Sequence, residues 1–136
     1  MADILRTQKF KIEEKNKTQE IKVKSCLARG VWIYTKSGLL QICDEKLNVV
    51  LATKACAGKS STPTFPWVYR AQRFKAGYTP TKSGLSLFYS VFFFKGLAIA
   101  GVDRVSDAPC SKGSVLIDKI SAKKVYKFLR TTNAPI

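Results

Sequence analysis

Leu85-Ser86-Leu87-Phe88-Tyr89-Ser90-Val91-Phe92-Phe93-Phe94-Lys95-Gly96-Leu97-Ala98-Ile99-Ala100-Gly101-Val102 is the stretch on which the fold turns. Residues 85–94 form an aromatic and apolar run that ends at Lys95. It is too short to cross a bilayer, which takes about 20 apolar residues. Its enrichment in aromatic and β-branched residues, and the Lys95-Gly96 break before a second apolar run at 97–102, predict two central β-strands. The trio Phe92-Phe93-Phe94 is expected to be buried on both faces rather than to serve as a stacking platform.

Moving toward the N-terminus, strand signals continue. Residues 67–74 read as a strand, flanked by loop compositions at 58–66, with Pro63 and Pro66, and at 77–84, with Pro80. Proline cannot donate to a central ladder. Further upstream, Ile21-Lys22-Val23-Lys24 alternates with period two. Residues 30–34, 39–43 and 47–57 are apolar runs separated by Lys36-Ser37-Gly38 and Asp44-Glu45-Lys46, the pattern of a β-meander. Residues 1–20 are polar and charge-rich and read as an N-terminal arm, with a short edge strand around Phe10 and Ile12 left open. The rest, 21–136, reads as one domain, because 136 residues are too few for two substantial cores.

Toward the C-terminus the period changes. Ala122, Val125, Phe128 and Leu129 fall at helical spacing, predicting a helix over about 119–130 with Asp118 as N-cap. Asn133 and Pro135 stop it. Lys119, Lys123, Lys124, Lys127 and Arg130 cover its other face.

Charge is the strongest compositional feature: 24 Lys and Arg against 9 Asp and Glu, a formal net charge of +15. Between Glu45 and Asp103 there is no acidic residue, while Lys59, Arg70, Arg73, Lys75 and Lys82 all lie in that interval. These five, with Lys119, Lys123, Lys124 and Lys127, are the candidate contacts to an anionic partner. Peptidoglycan, nucleic acid, phospholipid and an acidic protein surface all remain open, as does a solvated basic surface that aids solubility.

The chain has no histidine, and none of Cys26, Cys43, Cys56 and Cys110 forms a Cys-x-x-Cys pair, so no zinc-type ligand set and no cofactor is expected. Cys26, Cys43 and Cys56 lie in apolar stretches and are expected to be reduced core thiols. The opening residues lack the apolar core of a secretory leader, which predicts synthesis in the cytoplasm with the final location unassigned.

Three segments, in order, resemble the L,D-transpeptidase catalytic domain, whose members cross-link peptidoglycan stems with a cysteine nucleophile. The first is Gly58-Lys59, then Thr62-Pro63-Thr64, running to Tyr69; Trp67 stands where the family has glycine. The second runs from Tyr89 to Gly96-Leu97-Ala98-Ile99-Ala100-Gly101, with Ala100 at the position of a histidine. The third is Pro109-Cys110-Ser111-Lys112-Gly113-Ser114-Val115-Leu116, similar to the family's Ala-Ser-His-Gly-Cys-Val-Arg signature. Ser111 and Gly113 match it. Lys112 replaces the histidine, Ser114 the nucleophilic cysteine and Leu116 the arginine.

The resemblance covers about residues 20–130. It implies a mainly β, single-domain L,D-transpeptidase-like sandwich or mixed sheet with one C-terminal helix. It also implies lost chemistry. A serine hydroxyl is a poorer nucleophile than a thiol of pKa ~8.5, and Ala100 offers no base to activate it. Lys112 could act on Ser114 only with its pKa lowered by about 3 units, as in Ser-Lys enzymes. Cys110, with no histidine to ionise it, is expected to be structural.

The leading expectation is therefore a non-catalytic structural or interaction protein, a basic component of a larger assembly such as a phage or virus particle, with protein partners. A module that binds peptidoglycan or another anionic polymer is the alternative. Nucleic-acid binding, with Trp67 or Tyr78 stacking, is a further one. A residual acyl transferase using Ser114 comes last.

Overall fold

The computed structural model describes residues 5–12, 17–56, 68–77, 79–80, 86–95, 97–103, 105 and 114–136. Strands β3 (Gly30–Tyr34), β4 (Leu39–Cys43) and β5 (Val49–Lys54) form the antiparallel meander that the apolar runs and the turns between them predict. The central member, β4, is buried along its whole length. Leu40 and Ile42 face the main core, whereas Leu39 turns the other way, toward Val23 and Ala52. A strand covered on both faces cannot show polar alternation, which is why Leu39-Leu40-Gln41-Ile42-Cys43 reads as a continuous run.

The second sheet contains the aromatic run. Strand β8 (Ser86–Phe94) pairs antiparallel with β9 (Leu97–Val102) on one side and with β6 (Arg73–Lys75) on the other; β7 (Thr79–Pro80) also pairs with β8. Strand β10 (Val115–Asp118) lies parallel to β9. Both predicted central strands are present. Between them the register slips twice, between Phe88 and Val91, where Tyr89 has a φ of 51°, and between Phe92 and Phe94.

Helix α1 (Lys119–Thr132) packs on β8 and β9. Asp118 caps it as expected: its Oδ2 accepts the Ser121 N–H at 2.9 Å. Asn133, in the left-handed region, donates its N–H to the Leu129 carbonyl at 2.8 Å and ends the helix. Ala122, Val125 and Leu129 meet Val91, Phe93, Ile99, Val115 and Ile117 from the sheet and Val31, Leu40 and Ile42 from the meander. This is the main core. No helix among the described residues is long and apolar enough to cross a membrane.

Gly101 sets the distance between α1 and β9. A Cβ there would lie 2.8 Å from the Lys119 Cα and 2.9 Å from the Ala122 Cβ. Backbone on one side and a packed methyl on the other leave little room to yield. Gly101→Ala is expected to cost about 1–3 kcal/mol by overpacking, read as a lower denaturant midpoint with an unchanged slope.

Three expectations need correction, and the edge strand left open around Phe10 and Ile12 is present. Residues 5–12 of the stretch read as an arm form strand β1 (Leu5–Ile12), which pairs along its length with β2 (Lys17–Lys24). This hairpin lies against β5, so strand structure starts well before residue 21. Cys26 and Cys43 are not reduced thiols but a disulfide with Cα atoms 5.7 Å apart, within bridging range. Cys56 is disulfide-bonded as well. The strand expected at 67–74 narrows to β6, because Tyr69 pairs instead with the chain end: its N–H and carbonyl bond Ile136 at 3.1 and 2.9 Å. Phe93 is buried as expected, but Phe94 is 37% exposed and Phe92 half-buried. Cations cover these two rings, since Arg73 lies 4.2 Å over the Phe92 ring and Lys95 lies 5.3 Å over that of Phe94.

Candidate functional site

Of the replaced positions singled out by the resemblance, Ala100, Ser114 and Leu116 are among the described residues, and they lie at the paired strands β9 and β10. The parallel register sets Ala100 beside Leu116, with Ser114 just ahead of the first paired residue, Val115. Residues 114 and 116 share a face of the strand, as do 100 and 102. That face does not look at α1, whose contacts come from Ile99, Val115 and Ile117.

Ala100, Val102 and Leu116 instead pack with Cys56 in a separate apolar cluster, with Leu87 and Val105 at its margin. Ala100 is fully buried and Leu116 nearly so. Cys56 holds its place through the backbone, exchanging two hydrogen bonds of 2.8 Å with Leu116. The Ser114 Oγ accepts the Ala98 N–H at 3.1 Å, closing the end of the β9–β10 ladder. The side chains of Ala100, Val102, Leu116, Cys56 and Ser114 thus bring together alkyl groups, a bonded sulfur and a hydroxyl that accepts a backbone N–H. Ser111, Lys112 and Gly113 lie outside the described residues, as do Lys59, Lys82, Trp67, Tyr78 and Cys110.

The candidate cations do not form one site. Arg70, exposed, donates to the Asn133 carbonyl at 2.6 Å and braces the end of α1. Arg73 and Lys75 flank Phe74 on β6. Because the Phe74 ring meets Tyr126 of α1 at 5.3 Å, the two cations point to the opposite side of the sheet from the helix. Lys119, Lys123, Lys124 and Lys127 do come together on the exposed face of α1, where Lys119 also pairs with Asp103 at 2.8 Å.

Two further features carry no motif in the sequence. Buried Gln41 clamps the end of β2, its Nε2 donating to the Lys24 carbonyl at 2.9 Å and its Oε1 accepting the Lys24 N–H at 3.1 Å. An apolar groove of about 500 Å³ runs along the outer edge of β3, lined by Val31, Trp32, Tyr69, Phe93, Pro135 and Ile136. None of Ala100, Ser114 and Leu116 lines it. The Gly30-Val31 end of that edge is already occupied, since the Pro135 carbonyl accepts the Val31 N–H at 2.9 Å.

No protein-family model and no curated protein matches the chain. Solved structures do. An L,D-transpeptidase from Mycobacterium smegmatis superimposes with a TM-score of 0.66 at 14% identity, over 85% of this chain and 61% of that one. One from Xylanimonas cellulosilytica gives 0.63 at 16% identity, over 71% and 53%. One from Stackebrandtia nassauensis gives 0.57 at 20% identity, over 66% and 45%. The chain therefore spans between about half and three-fifths of the length of these proteins. Identity this low speaks to architecture alone. With its β-sheets and C-terminal helix, the chain has an L,D-transpeptidase-like fold.

Proposed function

We propose that this chain is a non-catalytic interaction protein, built on an L,D-transpeptidase-like scaffold and held in a larger assembly such as a phage or virus particle. The carrying observation is the apolar cluster of Ala100, Val102, Leu116 and Cys56. Nucleophilic acyl transfer needs a base beside the nucleophile and donors for the oxyanion. A methyl group at 100 and an isobutyl group at 116 can neither take a proton nor offer one. The Ser114 Oγ accepts the Ala98 N–H and has the alkyl groups of Ala100 and Leu116 on the neighbouring strand positions. The framework is kept while that face is packed like a core.

The cysteines bear on location. Disulfides persist where thiol reductants are scarce, and Cys26–Cys43 suits a protein that leaves the cytoplasm inside an assembled particle. Purification of the native protein is expected to bring down a protein partner in fixed stoichiometry. A monomer that runs alone from lysate in gentle buffer would sink this reading.

The basic surface supports a second reading, in which the scaffold grips peptidoglycan or another anionic polymer by charge. Retention on purified sacculi at low salt, lost at high salt, is the expected result for that reading. No retention at low salt removes it. Residual acyl transfer through Ser114 has only the hydroxyl itself in its favour.

A further inference from the structure

The exposed flank of α1 is more than a scatter of lysines. The helix carries five basic residues, Lys119, Lys123, Lys124, Lys127 and Arg130, and no acidic one. Three of them stand over aromatic rings in a row: Lys119 over Phe88 at 4.7 Å, Lys123 over Tyr89 at 6.0 Å and Arg130 over Tyr126 at 5.9 Å from the centroids. The rings touch edge to face, Tyr89 to Tyr126 at 5.8 Å and Phe74 to Tyr126 at 5.3 Å. Arg130 is further fixed by donating to the Tyr126 Oη at 3.0 Å. Cations held on ring faces lose less freedom when an anion arrives than free lysines do.

We propose that this face of α1 binds nucleic acid through its phosphodiester backbone. The proposal rests on reading the chain as an interaction protein and names one partner of that surface. Four considerations select the partner. The ring faces are covered by cations, so bases have little to stack on and recognition falls to charge. Lys119, Lys123 and Lys127 recur every four residues, about 6 Å of axial rise, and the row to Arg130 spans about 16 Å. A duplex presents a phosphate of one strand every ~3.4 Å of its axis, so about five fall within that axial length. Its charge density suits such a row better than a wall polymer bearing carboxylates only on its peptide stems. Finally, a membrane-surface helix inserts its apolar face among lipids. The apolar face of α1 is buried in the core, and Ile120 is the only large exposed hydrophobic residue on the helix.

The test uses the full chain, a fluorescent random-sequence duplex of about 20 base pairs, and anisotropy across roughly 50–200 mM salt. Five cations predict a log–log salt slope of about −4.5, following about −0.9 per phosphate neutralised. The triple variant Lys123→Gln, Lys127→Gln, Arg130→Gln is expected to bind at least about tenfold more weakly at low salt, with a slope shallower by about 3. A second triple, Lys22→Gln, Lys36→Gln, Lys46→Gln, removes the same charge from exposed positions on β2 and the meander turns. It should stay within roughly threefold of the parent. Lys127→Glu alone should reproduce the direction of the first triple and serves if that triple fails to fold. Equal losses in both triples would overturn the proposal, as would a flat salt profile. So would sacculi or anionic vesicles that bind more tightly than the duplex and lose binding in the α1 triple. None of these results bears on the absence of catalysis, which fails only if the chain turns over substrate.

Discussion

Asp118→Ala is expected to destabilise the protein by about 3 kcal/mol. The carboxylate is 4% exposed and used twice: Oδ2 caps α1 at the Ser121 N–H, and Oδ1 accepts the buried Thr53 hydroxyl at 2.9 Å. Alanine removes the cap, worth about 1 kcal/mol, and leaves the Thr53 hydroxyl without its acceptor, worth about 1–3 kcal/mol. Since Thr53 lies on β5 and Asp118 between β10 and α1, one side chain ties the meander to the helix. Asp118→Asn keeps an acceptor for one of the two donors and should lose about half as much. Thr53→Val, which removes the partner with little change of shape, should be milder than Asp118→Ala. Urea midpoints of the three variants check the order. Equal stability of Asp118→Ala and the parent would mean that this link carries no weight.

The second large effect concerns Cys26–Cys43. The bridge spans 17 positions of sequence and joins the segment after β2 to the last residue of β4. Cross-links closing loops of this size stabilise by about 3 kcal/mol. The double variant Cys26→Ala, Cys43→Ala is expected to lose that much, and the loss should fall on the N-terminal hairpin first. Once the bridge is gone, β2 is held to β4 by the Gln41 clamp on Lys24 and by Val23 packing on Leu39 and Ala52. Hydrogen exchange at Val23 and Lys24 should then quicken well before exchange at Val91 or Ile99 does. Uniform loss of protection across the chain would contradict a locally anchored hairpin.

The strands that carry the architecture were legible because their composition has few other uses. A ten-residue aromatic run followed by a six-residue apolar one suits two buried strands, and Asp118 ahead of a helical stripe suits a cap. What stayed hidden depends on contacts between distant segments. Cys26 and Cys43 look like core residues, which they are; their pairing follows from the way the chain turns back before β3. Phe10 and Ile12 alternate with lysines in the same way in a mobile arm and in a hairpin strand, so local pattern could not choose. Tyr69 sits in a strand-like composition, but its ladder partner is Ile136, at the far end of the sequence.

The site divides along the same line. Ala100, Ser114 and Leu116 could be named from the order of short motifs. That Cys56 joins them could not, since its backbone pairing with Leu116 is formed only in the folded chain. The lysine row on α1 is plain from spacing, whereas the rings beneath Lys119, Lys123 and Arg130 come from β8 and from the helix itself.

Intact-mass measurement after incubation with a peptidoglycan tetrapeptide donor tests the loss of chemistry most directly. Alkyl groups at Ala100 and Leu116 beside Ser114 predict a single peak at the unmodified mass and no release of the donor's terminal residue. A covalent adduct on the parent chain that vanishes in Ser114→Ala would contradict it.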